Sequence, residues 1–449
     1  MAKVQHITDG PIFTTILKLA WPTVAVMFLE FMLTTTDYFW LGYLGTPQQD
    51  ALTSSMVVTW TIFAINAIII IGLVAIVSRF IGAQEPDNAS YYSKQGLQMA
   101  IGLGLIFTAV GIIMAPSIIR FMKAGPEVVA LGTIYLRTFF AGIIFFYLNE
   151  ALGAIFRASG DTRSPMIAYA SGTVLNIFLD PLLIFGWGPI PGLGIGGAAL
   201  ATIISVFVGT MIFIALLFRG RLEFSLSRWY QTKPDFKAML KMVRIGLPVS
   251  VQNVTFIIVY WFIIQLVHHY GEVAGAGMGI GNRMESLSYL ITFGLSMAAS
   301  TMVGQNMGAK KPDRAARSAW WTIGIGIGWT SISSFLFIVF PESIAGIFTR
   351  DPGALNIAAD YLIILGYSQI FMATEIILEG AFSGAGDTLP PMIVSIPGSL
   401  ARLPLAYYFC FNLNFGVNGV WWSLTITSFI KAVIIAFWFR KGNWKKKNL

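Results

Sequence analysis

The sequence predicts an all-α integral membrane protein of twelve transmembrane helices, arranged as two pseudo-symmetric six-helix lobes. Three observations predict it. Of 449 residues, 56% are hydrophobic and 11% charged, against about 25% charged in an ordinary soluble domain. Twelve apolar runs can be read, and a bilayer core takes about 20 such residues per helix. Three motifs also recur at a single offset of 226 residues.

In chain order the runs are 13–42, 51–77, 95–118, 131–153, 165–186, 196–218, 243–267, 280–303, 318–340, 356–380, 390–412 and 417–439. Stretches such as Ala64–Val77 and Trp320–Phe340 are almost without charge and leave no soluble reading. The first run reads as a retained helix: it is longer than a signal-peptide core, carries Asp37, and shows no small-residue cleavage pattern. Lys and Arg in the N-terminus and alternate connections number 22; the opposite connections hold Arg120, Lys123 and Arg350 alone. This bias predicts that both termini are cytoplasmic.

The repeat fixes the organisation. Ala20-Trp21-Pro22 is echoed by Gly246-Leu247-Pro248, and Gly82-Ala83-Gln84-Glu85-Pro86-Asp87 by Gly308-Ala309-Lys310-Lys311-Pro312-Asp313. Phe156-Arg157-Ala158-Ser159-Gly160-Asp161-Thr162 returns as Phe382-Ser383-Gly384-Ala385-Gly386-Asp387-Thr388, followed in both copies by Pro-Met (Pro165-Met166 and Pro391-Met392). Six spans per copy is an even number, so the copies enter the membrane the same way up, as parallel repeats. The expected division is an N-lobe at 1–218, a basic cytoplasmic linker at 219–242 and a C-lobe at 243–449. In each Gly-Asp-Thr element, Gly suits a tight turn and Asp or Thr a helix cap, with Pro in the first turn.

Composition excludes several kinds of chemistry. The net charge of +8 sits in connections and tail, as topological charge rather than a nucleic-acid-binding stripe. One cysteine, Cys410, forms no intrachain disulfide; His6, His268 and His269 make no convincing metal site, with the last two expected at the interfacial end of span seven. Gly192-Leu193-Gly194-Ile195-Gly196-Gly197 matches a dinucleotide motif literally but joins two membrane spans, and reads as a loop and helix start. Asn88-Ala89-Ser90 is a glycosylation sequon in a loop expected to be cytoplasmic. No phosphate-binding loop of a primary pump occurs, and no cofactor is expected.

The copies differ where it matters chemically. The counterparts of Asp37, Asn176 and Asp180 at the 226 offset are Ile263, Arg402 and Ala406. An ionisable residue in a span costs roughly 2.5–3.5 kcal/mol on insertion scales, so its default reading is a functional or paired group. Asn176 and Asp180 share a helix face at four-residue spacing, and Pro181 can free a backbone carbonyl. Thr202 belongs to the same outer half of the membrane. Two carboxylates with amide and hydroxyl oxygens can hold Na⁺ or share a proton. The bland alternatives are a snorkelling Asp37 beside Tyr38 and Trp40, and a helix-break role for Asp180. Glu30 lies seven residues before Asp37, about 10 Å deeper on roughly the same face; a proton relay and a structural pair with Arg137 or Lys431 both stay open. Arg283, Glu285 and Arg402 read as ion-pair or gate residues. Glu150, Glu375 and Glu379 are placed near the cytoplasmic ends, where solvation is easier.

With these motifs the chain resembles the multidrug and toxin extrusion (MATE) family. The resemblance rests on the doubled Gly-Asp-Thr element, on Gly82-Ala83 and Gly308-Ala309, and on twelve spans in two lobes. Its DinF-like and archaeal prokaryotic branch is the nearest: there the resemblance implies an N-lobe cation-coupling site at Asp37, Asn176, Asp180 and Thr202, with Tyr135 as an associated tyrosine. The NorM-like branch has acids in spans seven and ten; here span seven offers Gln252 and Asn253, while Glu375 and Glu379 leave a C-lobe contribution open. Met27, Phe31, Met32, Tyr38, Phe145 and Tyr147 lie in spans expected to face a substrate cavity, where soft side chains suit varied ligands.

The function expected is a cation-coupled efflux antiporter of the plasma membrane. It would exchange H⁺ or Na⁺ for amphipathic, cationic organic compounds, with lipid around it, no nucleic-acid partner, and a monomeric state. The alternative within transport is a lipid-linked saccharide flippase, which would line its cavity with several cations, whereas Arg137, Arg283 and Arg402 are the candidates. An intramembrane lipid-acting enzyme would need a catalytic cluster, and outside the cation site none is found.

Overall fold

The computed structural model describes residues 7–122, 125–227 and 229–447; Lys3, His6, Lys123 and Arg228 of the preceding counts lie outside the described residues. The first half of the chain is α1 (Ile12–Gly42), α2 (Thr46–Gly82), α3 (Pro86–Phe121), α4 (Pro126–Ala158), α5 (Arg163–Phe185) and α6 (Ile195–Phe218). A hairpin of two two-residue strands, Gly186–Trp187 and Ile190–Pro191, joins the last two. The second half is α7 (Phe236–His268), α8 (Glu272–Gly308), α9 (Pro312–Val339), the short α10 (Pro341–Ala345), α11 (Pro352–Gly366), α12 (Gln369–Ala385), α13 (Leu389–Tyr407) and α14 (Asn418–Lys441).

The 226-residue offset survives in the conformation. Helices α2 and α8 begin and end at matching positions, and Pro86, Pro126, Pro312 and Pro352 start α3, α4, α9 and α11, where a missing N–H costs nothing. Gln84 and Lys310 both take positive φ, 59° and 57°. Ten described helices are long and apolar enough to cross a membrane, or eleven if α11 and α12, bent by 57°, form one span. That bend falls at Gly366-Tyr367-Ser368, the small-residue kind of site where helices kink. The remaining expected span, 390–412, is helical, but four prolines and Arg402 within α13 dilute its hydropathy. The sequon Asn88-Ala89-Ser90 lies in the first turns of α3 rather than in a loop. The glycine-rich run closes the hairpin and opens α6, as expected.

The chain packs into two compact units whose boundaries fall inside helices, not at the ends of the apolar runs. One unit is Trp21–Gly246; the other takes Ile7–Ala20 together with Leu247 onward. These breaks reflect which backbone segments lie together, whereas the division at 218 and 243 follows the ends of the apolar runs. In the second unit Ile16, Leu19 and Ala20 are buried in one cluster with Ala298, Ala299, Met302 and Val303 of α8. In the first, the start of α7 lies against α2: a Cβ on Gly246 would stand 2.0 Å from the Ile68 carbonyl oxygen. The breaks after Ala20 and Gly246 are themselves one repeat apart.

The basic linker is docked within the first unit. Asp235 accepts hydrogen bonds from the Tyr91 hydroxyl (2.5 Å) and the amides of Lys237 (2.8 Å) and Ala238 (3.3 Å). Gln95 binds the Lys233 carbonyl at 2.9 Å and the Asp235 amide at 2.8 Å. The Tyr91 hydroxyl and the Lys237 amide hold the Asp235 carboxyl below the ordinary aspartate range.

The two Gly-Asp-Thr elements divide their roles. Gly160 and Gly386 take positive φ, 82° and 74°, which favours glycine. Asp161 caps α5, accepting from the amides of Arg163 (3.1 Å) and Ser164 (3.0 Å). Position 390 is proline and has no amide hydrogen to offer, and Asp387 pairs instead with Lys447 at 3.2 Å.

Two outcomes follow. Asp161→Ala removes a cap worth about 1 kcal/mol and lowers the thermal midpoint in detergent by more than Asp387→Ala, which removes a partly exposed pair of about 0–1 kcal/mol. For the linker, a depressed folded pKa means that docking is complete above the ordinary aspartate value of about 4 and is lost as pH falls through the lower folded value. Amide exchange at Lys237 and Ala238, slow at neutral pH, should accelerate in Asp235→Ala.

Candidate functional site

Inside the first unit, α1, α5 and α6 bring the predicted oxygen-bearing residues together. Asp37, Asn176, Asp180 and Thr202 are all buried. Thr202 donates to Asp37 at 3.5 Å and to the Ala198 carbonyl at 3.1 Å; Asn176 donates to Asp180 at 3.2 Å across one helical turn. The Asp37 and Asp180 carboxyls lie within hydrogen-bonding reach of each other. Tyr135, buried on α4, is close enough to feel both.

Local sequence explains the positioning. Thr34, Thr35 and Thr36, just before Asp37, turn their hydroxyls back on the carbonyls of Glu30 (3.2 Å), Phe31 (2.7 Å) and Met32 (2.9 Å), an arrangement that loosens and bends helices. Helix α5 runs on through Pro181. Small residues let α5 and α6 approach closely: a Cβ on Gly197 would stand 2.2 Å from the Leu183 carbonyl oxygen.

The decisive feature is what these groups lack. Among the described residues, Asp37 Oδ1, Asn176 Oδ1 and Asp180 Oδ2 are buried acceptors with no hydrogen-bond donor. Native interiors leave few such atoms, and here three share one site. A shared proton or a hard cation would satisfy them, since carboxylate and amide oxygens suit both. No group of three or more His, Cys, Asp or Glu able to hold a metal is found among the described residues, so the donor set is not that of a zinc or iron centre.

Other expected residues are distributed differently. Glu30 is exposed on α1 and feels Glu150 and Arg157, both in the first unit. Its expected partners are engaged elsewhere: Arg137 donates to the Ile112 carbonyl at 3.3 Å, and Lys431 pairs with Glu375 at 2.6 Å. Met32 and Tyr38 are exposed, and Met27, Phe31 and Phe145 are partly buried. Tyr147 is fully buried, its ring stacked on Phe107. Glu150, Glu375 and Glu379 each have protein partners. Glu150 accepts from Tyr169 and pairs with Arg157 at 3.8 Å; Ser395 donates to Glu375 at 3.2 Å and to Glu379 at 2.7 Å.

Sequence reasoning missed a polar network in the second unit. Tyr361 donates to Asn282 and to Glu285, each at 2.6 Å, and Asn282 donates to Tyr260. Tyr361 is 76 residues from Glu285, and no local pattern announces such a pairing.

Comparison with known proteins agrees with this architecture. The MatE family profile matches residues 22–182 and again 248–408. A probable multidrug resistance protein NorM of Thermotoga maritima is 30% identical over 96% of this chain and 93% of its own length. A protein of the same name from Rhizobium meliloti is 28% identical, over 92% and 90%. A MOP-superfamily transporter from Pyrococcus furiosus superposes with a TM-score of 0.91 at 24% identity, covering 100% of this chain and 99% of that one.

The close contact of α5 with α6 sets an expected outcome. Gly197→Ala forces a methyl group into backbone and costs about 1–3 kcal/mol, separating Asp180 from Thr202. Gly196→Ala, whose Cβ would meet only the Ile134 side chain at 3.1 Å, should be nearly silent. Thermal unfolding of the two variants side by side checks the difference.

Proposed function

The chain belongs to the MatE family, and from that premise we propose a cation-coupled efflux antiporter that exports amphipathic, cationic organic compounds by alternating access. It is a multi-pass membrane transporter and not an enzyme. The observation that carries the proposal is the set of three donorless oxygens around Asp37 and Asp180, present in one unit and replaced by Ile263, Arg402 and Ala406 in the other. The names of the two curated relatives support drug-like substrates.

In this reading, H⁺ or Na⁺ reaches the Asp37–Asp180 pair from outside. Its charge removes the repulsion between the carboxylates, and its loss restores it, so α1 at Thr34–Asp37 has a different preferred path in each state. Drug release outward and cation release inward then alternate. Each elementary charge moved through 100 mV supplies about 2.3 kcal/mol, enough for roughly fifty-fold concentration at full coupling. The protein would work in the plasma membrane as a monomer with cytoplasmic termini, the orientation that the Lys/Arg bias favours. No observation favours the saccharide flippase: Arg402, one of its few candidate cations, is buried and hydrogen-bonded to Thr427 and Ser428.

The test is efflux of a fluorescent organic cation from proteoliposomes under an imposed pH or Na⁺ gradient. Wild type should follow one of the two gradients, and Asp37→Asn and Asp180→Asn should each lose the response while still folding. Unchanged gradient-driven transport in both variants would sink the proposal. Thr202→Val, which keeps the shape and loses the oxygen, should weaken the apparent affinity for the ion without abolishing transport.

A further inference from the structure

We infer that Arg402 is a tethered cation, occupying in the second unit the place where the first unit takes its coupling ion. The inference rests on the preceding reading of the Asp37–Asp180 site and goes beyond it. Arg402 stands at the repeat position of Asn176, and Ser428 at that of Thr202. From α13 the guanidinium reaches α14, donating through Nε to Thr427 Oγ1 at 3.1 Å and through Nη2 to Ser428 Oγ at 3.4 Å. It therefore spans the gap across which, in the first unit, the ion-site oxygens face one another. Its carbon centre sits 5.7 Å from the ring centre of Phe256, a cation–π distance.

The two acids of the first unit are meanwhile replaced by Ile263 and Ala406, both fully buried. The titratable groups around Arg402 come from other elements: Glu375 of α12, Glu285 of α8, Tyr361 of α11 and Lys431 of α14. Lys431 is committed to Glu375 at 2.6 Å, and Glu285 accepts from the Tyr361 hydroxyl at 2.6 Å. A guanidinium keeps its charge in proteins and cannot dissociate from its own chain. The second unit is thus held permanently in a state the first unit reaches only when an ion binds. One exchangeable ion site per chain follows, and Arg402 acts as a positioning residue that confines coupling to the first unit.

The experiment compares thermal midpoints of the full-length protein as Na⁺ replaces choline at fixed pH, and as proton concentration rises at fixed salt. Wild type should rise with the coupling ion and Asp37→Asn should not. Adding Arg402→Gln to Asp37→Asn empties the second unit's place and should restore a rise of about 2 °C or more; adding Arg402→Lys, which keeps a tethered cation, should not. A folded Arg402→Gln double variant without the rise overturns the inference, as does a rise in the Arg402→Lys double variant. If the Arg402→Gln protein fails to fold, the reciprocal change decides. Asn176→Arg beside Asn176→Gln, with Asp37 and Asp180 kept, places a guanidinium in the first unit: a cation response lost in Asn176→Arg and kept in Asn176→Gln supports the inference, and its survival in Asn176→Arg or equal loss in both overturns it. A wild type with no cation response overturns the reading of the first unit itself, which keeps the two failures apart.

Discussion

Two carboxyl groups, Asp37 and Asp180, stand within hydrogen-bonding reach of each other in a site closed to water. Two like charges at that separation cannot both be kept in a low-dielectric setting without a cation or proton between them. Thr202 and Asn176 each contribute one donor, and three acceptors remain without any. The rest of the first unit serves that demand. Close packing at Gly197 brings the helices of Asp180 and Thr202 together, and the run Thr34–Thr36 softens α1 beside Asp37. Burial makes the ion matter, because the same residues in water would be satisfied by solvent.

Duplication gave the chain a second copy of this scaffold, and the copies have parted in chemistry while keeping their geometry. Helix ends, positive-φ turns and even the breaks between compact units recur at one spacing. The polar groups do not. The first unit holds an acid pair; the second holds Arg402, with Glu285, Glu375 and Lys431 around it. The same frame thus carries different charged groups in its two copies. The Gly-Asp-Thr elements show the same divergence at smaller scale: Pro390 denies Asp387 the amide that Asp161 finds at Ser164, and Lys447 becomes its partner.

The exchanged helix starts show how packing overrides hydropathy. Ile16 and Leu19 belong to a run that continues to Gly42, yet they are buried with α8 of the second unit. Gly246 belongs to α7, yet its backbone approaches Ile68 of α2. A continuous apolar run says only that a segment is stable in lipid, since every face of it is apolar. Which neighbour it meets depends on shape, and shape is spread over residues hundreds of positions apart.

The sequence by itself determined the membrane class, the duplicated plan and the membership of the acid site, because each is written locally. Apolar length marks a span, a constant offset marks a repeat, and an acid inside a span is too costly to be incidental. The caps at Asp161 and the turns at Gly160 and Gly386 were legible for the same reason. Tertiary structure alone decided who faces whom. It gave Arg137 to the Ile112 carbonyl, buried Tyr147, tied Tyr361 to Glu285, and carried the Arg402 guanidinium to Ser428. Hydrogen bonds between distant helices leave no periodic trace in a chain, and the empty acceptors at Asp37, Asn176 and Asp180 exist only once three helices have closed around them.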